Sequence, residues 1–158
     1  MTQLGLVETR RRGNRKEISI DRERVHKPDD PILAIPQESF RTPVTAFLDA
    51  VTNRQENLVG IVLFGSVASG DADRASDIDL FIVVEDELMA ARRSIHDIRQ
   101  DVSTRSFDGD RYEFQVLVES VTSAAQHGEK LQEIFATGIT LYETDQLETV
   151  RGQVLHGR

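Results

Sequence analysis

The chain has 158 residues, no cysteine and a net charge of −8, which allows one domain with a real core plus an accessory element and excludes disulfides and thiolate metal sites. No apolar run approaches the roughly 20 residues of a membrane span, and the N-terminus lacks the apolar core of a signal peptide. A soluble, cytoplasmic protein without a membrane partner is therefore expected. The charge is unevenly spread: residues 1–27 hold eight Lys/Arg against four Asp/Glu, whereas residues 28–158 hold eleven against twenty-three.

In chain order, Gly5 to Val25 reads as two short strands joined at Gly13-Asn14, a pair whose tolerance of positive φ suits a tight turn. The expectation is a basic β-hairpin. All four prolines lie between Pro28 and Pro43 and break regular structure, so a linker or strap follows. From Pro43 to Gln55, Val44, Phe47, Leu48 and Val51 recur at helical spacing. Leu58 to Phe64 and Asp77 to Val84 are short apolar runs rich in β-branched residues, hence strands. Between Asp86 and Thr104, Leu88, Ala91, Ile95, Ile98 and Val102 line one face of an amphipathic helix. Arg111 to Val118 alternates as a third strand. A helix near Ala124 to Ala136, the apolar piece ITLYE and a last helix from Asp145 to Leu155 complete the chain. Alternating strands and helices predict an α/β fold.

The stretch LFGSVASGDADRASDIDLFIVV carries the chemistry. Gly65-Ser66 lies where the first apolar strand turns into a helix, so backbone N–H groups are available there and no Cβ on Gly65 blocks a ligand. Such a place suits phosphate. Side chains alternate along a strand, so Asp77 and Asp79 project from the same face. Two adjacent carboxylates repel unless a divalent cation lies between them, and hard oxygen ligands suit magnesium carried in with substrate phosphates. A phosphate cradle beside a carboxylate pair implies metal-assisted phosphoryl or nucleotidyl transfer. The four histidines show no metal-ligand spacing and read as surface residues; Tyr112 and Phe114 read as core.

FGS, ten residues, then DID, with an apolar strand before each half, resembles the signature of the minimal branch of the DNA polymerase beta-like nucleotidyltransferase superfamily. The similarity spans roughly residues 40–143. It implies a short mixed sheet packed with helices, with Gly65 and Ser66 holding the triphosphate of a nucleotide, ATP foremost, and Asp77 and Asp79 binding Mg2+. A third carboxylate on a neighbouring strand completes the catalytic and metal set in that family. In RYEFQVLVE, Glu113 and Gln115 share one face by parity. Glu113 is the preferred equivalent; with Gln115 in that place, an amide replaces the anionic oxygen and transfer is weak or absent. A second departure is Ser69, where many relatives carry arginine.

The resemblance further implies transfer of a nucleoside monophosphate to a hydroxyl. Relatives of this size often act as antitoxins that adenylylate a helical HEPN-type toxin. The alternative is a catalytically degenerate nucleotide-sensing or DNA-binding regulator. LGLVETRRRGNRKEISI is similar to the wing of a winged helix-turn-helix domain, which implies a weak DNA contact through residues 10–16. The expected organisation is a wing-like hairpin over 1–27, a linker over 28–42 and a nucleotidyltransferase domain over 43–158.

Overall fold

A computed structural model of the chain describes residues 31–73 and 75–156. The expected hairpin and its DNA contact lie outside the described residues. Pro31–Ala34 and Glu38–Phe40 are single 3-10 turns, and they bury Ile32 and Phe40, with Ile35 buried between them. The Arg41 guanidinium donates to the Ile35 carbonyl through both Nε (3.0 Å) and Nη2 (2.8 Å), which holds the chain where it enters α1 (Arg41–Arg54). Pro43 is tolerated in the first turn of α1 because the N–H it lacks would have had no intrahelical partner.

The remaining elements are β1 (Leu58–Phe64), α2 (Gly65–Ser69), β2 (Ile78–Val84), α3 (Leu88–Ser103), β3 (Phe114–Ser120), α4 (Val121–Ala124), α5 (Gly128–Thr137), β4 (Ile139–Glu143) and α6 (Asp145–His156). The sheet order is β3-β2-β1-β4. β1 runs antiparallel to both β2 and β4, while β2 and β3 are parallel. The fold is therefore the mixed-sheet α/β arrangement expected, and α3 is the crossover that a parallel pair requires. No helix among the described residues is long and apolar enough to cross a membrane.

Alternation along the strands feeds two cores. Leu63, Leu80, Ile82 and Phe114 pack with Phe47 and Val51 of α1 and with Ile95 and Ile98 of α3. On the other face, Val62, Phe81 and Val83 pack with Ala124, Leu131, Ile134, Leu147 and Val150 from α4, α5 and α6. The Phe47 and Phe114 rings lie 4.7 Å apart between centroids, so emptying the Phe47 site should cost about 3–5 kcal/mol.

The single helix expected near 124–136 is two. Ser120 caps α4 by accepting from the Ser123 N–H at 3.0 Å while the Ser120 N–H meets Ser123 Oγ at 2.8 Å, a reciprocal cap that starts a helix three residues earlier than hydrophobic spacing suggests. His127 then leaves helical geometry (φ −119°, ψ 42°) before α5 begins. The third strand also shifts toward the C-terminus, because pairing with β2 starts at Phe114 and continues to Ser120.

Candidate active site

β1 ends in an extended Phe64, and the next residue, Gly65, has φ +77°. Phe64 is paired with Asp79 across the antiparallel ladder, so the turn at Gly65 comes directly against the Asp79 side chain. A Cβ at Gly65 would fall onto Asp79 Oδ2 and lie 3.1 Å from its Cγ. Glycine is required on two counts, the left-handed backbone and the carboxylate that occupies the space of a side chain. Ser66 and the buried Val67 follow in α2. α2 stops at Gly70, whose φ of +87° lets its N–H reach back to the Ser66 carbonyl at 2.9 Å, a C-cap that β-carbon residues rarely adopt.

The chain from Gly70 back to β2 is clamped from the N-terminal side. Gln37 Nε2 donates to the Ala72 carbonyl at 2.7 Å, and the Ala72 N–H donates to Gln37 Oε1 at 3.2 Å. One side-chain amide thus satisfies both the N–H and the C=O of a buried residue, as a neighbouring strand would. Asp73 closes a local turn by accepting from the Ala75 N–H at 2.9 Å and from Ser76 Oγ at 3.2 Å. Ser69 donates to Asp71 Oδ2 at 3.1 Å and to the Ser66 carbonyl at 3.2 Å.

Asp77 and Asp79 are both half-buried and both belong to the face of β2 that carries Phe81 and Val83 toward α5. The Asp79 carboxyl is held above its ordinary value of 3.8, first by burial and then by the neighbouring charge of Asp77, with Lys130 opposing the shift. Sequence periodicity gave no sign of Lys130; it enters because α5 packs beside α2.

β3 supplies the third side of the cluster. Asp79 pairs with Gln115 in the parallel register, and Gln115 Nε2 donates to Asp77 Oδ2 at 3.3 Å. Glu113 is exposed and contributes its backbone, accepting from the Ile78 N–H at 2.9 Å. Gly65, Asp77, Asp79 and Gln115 are therefore brought together, with Ser66 one residue along α2. Among the described residues no three of His, Cys, Asp or Glu gather closely enough to hold one ion.

The residues present fit a divalent cation on chemical grounds. Their donors are all oxygen, as hard cations prefer, and the mutual repulsion that raises the Asp79 proton affinity is the repulsion a dication would relieve. Asp77 and Asp79 would hold it, and the Gln115 amide could turn its own oxygen toward the same place.

A family model described as "Polymerase beta, Nucleotidyltransferase" matches residues 48–147. No curated protein matches the chain. Among solved structures, a toxin–antitoxin structure with AMP-PNP is 24% identical with a TM-score of 0.53, covering 72% of this chain and 84% of that one. The toxin–antitoxin MntA-HepT structure is 20% identical with a TM-score of 0.50, covering 74% and 85%. A tri-AMPylated Shewanella oneidensis HEPN toxin in complex with MNT antitoxin is 21% identical with a TM-score of 0.49, covering 74% and 84%. At these identities the likeness is one of fold.

Proposed function

From the premise that this chain belongs to the polymerase beta-type nucleotidyltransferase family, we propose that it binds a nucleoside triphosphate, ATP foremost, with Mg2+ and transfers the nucleoside monophosphate to a hydroxyl, releasing pyrophosphate. The observation that carries this reading is the Asp77–Asp79 pair held by strand register against the positive-φ turn at Gly65. A magnesium ion bound by the two carboxylates would offset charge on the triphosphate. Gly65 lets the Asp79 carboxylate lie against the turn, and its backbone N–H and the Ser66 hydroxyl would donate to the phosphates. Glu113, exposed and immediately before β3, would supply a carboxylate that accepts the proton of the attacking hydroxyl. The acceptor in this reading is a tyrosine of a helical HEPN-type toxin in the cytoplasm, with this chain as its antitoxin. Its support is the fold shared with the toxin–antitoxin structures.

A second reading is favoured by one specific observation. The bond from Gln115 to Asp77, together with the Asp79–Gln115 pairing, puts a neutral amide beside the aspartates, which fits a protein that senses nucleotide without turning it over. Incubation with each α-labelled nucleoside triphosphate, magnesium and a HEPN-type toxin separates the two. Transfer predicts label on the toxin and release of pyrophosphate. Sensing predicts retained nucleotide and neither product. A protein that binds no nucleoside triphosphate would overturn both.

A further inference from the structure

Among the described residues β3 is an outer strand of the sheet, and beside it lies an open cleft of about 430 Å3 lined by Arg92, His96 and Arg99 of α3 and by Gln115, Val116 and Val118 of β3. Positions 92, 96 and 99 follow one another at four and three residues, so the helical period places them on one stripe. The backbone of Glu113 faces β2, since its carbonyl accepts from Ile78. By alternation, the peptide groups of Phe114, Val116 and Val118 face the open side. Two of them are already visited from α3: Arg99 Nη1 donates to the Phe114 carbonyl at 3.4 Å, and Arg92 donates to the Val118 carbonyl at 3.2 and 3.0 Å. Val116 lies between these two arginines.

We propose that this cleft docks an extended, acidic segment of the acceptor protein, which pairs with β3 at Val116 and leads its hydroxyl to the aspartates. The acceptor role rests on the transfer reading above; the docking does not. Charge complementarity argues for an acidic occupant, because residues 28–158 carry eleven Lys/Arg against twenty-three Asp/Glu and yet this stripe presents two arginines, with His96 Nδ1 3.2 Å from Arg99 Nη2. Continuity argues for delivery to the site. Gln115 lines the cleft at one end and hydrogen-bonds Asp77, and the three steps to Val118 span about 10 Å of strand. A strand edge argues for a polypeptide, since its N–H and C=O groups are matched by another backbone rather than by phosphodiesters.

The test uses the full chain and a fluorescent alternating glutamate–tyrosine peptide, with binding followed by anisotropy at low salt. A lysine–tyrosine peptide and single-stranded oligouridine serve as comparisons, and ATP affinity is measured in parallel. Arg92 is left intact because it also lies 3.6 Å from the buried Glu119. His96→Gln combined with Arg99→Gln should weaken the acidic peptide roughly five- to tenfold, with ATP affinity unchanged. Val116→Pro removes one outward N–H on an edge strand, a place where proline is tolerated, and should weaken the peptide while the melting temperature shows the fold retained. Equal binding by both variants and the parent, or preference for the lysine–tyrosine peptide or oligouridine, would overturn the proposal. Peptide binding by a protein that ignores ATP would uphold the docking surface and sink the transfer reading.

Discussion

Gly65→Ala tests the geometry that joins the turn to the carboxylates. At φ +77° an alanine pays the left-handed penalty of about 1–2 kcal/mol. Its methyl also falls on the Asp79 carboxylate, and turning that side chain off its rotamer adds about 0.5–1.5 kcal/mol. Against this, the unfolded chain loses freedom worth about 0.4–1 kcal/mol. The net loss is about 0.5–3 kcal/mol, a fall of roughly 1–12 °C in Tm for a chain of this size. The two contributions separate in a double-mutant cycle with Asp79→Ala, because removing the carboxylate relieves the collision and leaves the backbone penalty. Urea denaturation of the four proteins should give a coupling of about 0.5–1.5 kcal/mol. If Gly65→Ala costs the same with and without the Asp79 side chain, the close approach of turn and carboxylate is refuted. An unchanged Tm in the single variant would refute the positive-φ argument as well.

Four further outcomes are expected. Asp79 binds its proton more tightly folded than unfolded, so its ionisation destabilises the fold, a penalty absent below pH 3.8 and complete above the raised folded value; in chelator, Asp79→Asn should therefore melt above the parent at neutral pH, and the advantage should vanish in acid. Magnesium at about 100 times its Kd should raise the stability of the parent by about 2.7 kcal/mol, and thermal shift should show this gain lost in Asp77→Asn and Asp79→Asn. Under the transfer reading, Glu113→Gln should depress label transfer far more than nucleotide binding, whereas activity that is silent to Glu113→Gln and raised by Gln115→Asp would favour the sensing reading. Gln37→Ala strips both bonds from the Ala72 backbone N–H and C=O, costing about 1–3 kcal/mol in urea denaturation, and should weaken nucleotide binding by releasing the chain that leads to Asp77.

Much of this molecule is legible in local periodicity. A period of two along β2 is enough to put Asp77 and Asp79 on one face with Ile78 and Leu80 on the other, and a period of 3.6 is enough to assign Val44, Phe47 and Val51 or Ile95, Ile98 and Val102 to buried helix faces. Gly65-Ser66 at the end of an apolar run marks the turn without knowledge of the fold. Parity could not choose between Glu113 and Gln115, because both occupy the same face and differ by one repeat. The parallel pairing of β2 with β3 sets Gln115 opposite Asp79, and register between strands depends on how α3 and the Phe47–Phe114 packing seat the whole strand, information that no single segment carries. Lys130 reaches the neighbourhood of Asp79 for a similar reason, through the packing of α5 beside α2. The start of α4 at the Ser120 cap and the clamp of Gln37 on Ala72 likewise come from side-chain hydrogen bonds, which hydrophobic patterns do not record. Faces follow from the sequence because each residue's direction is set by its own backbone period; partners follow from tertiary structure because they are set by elements distant in the chain.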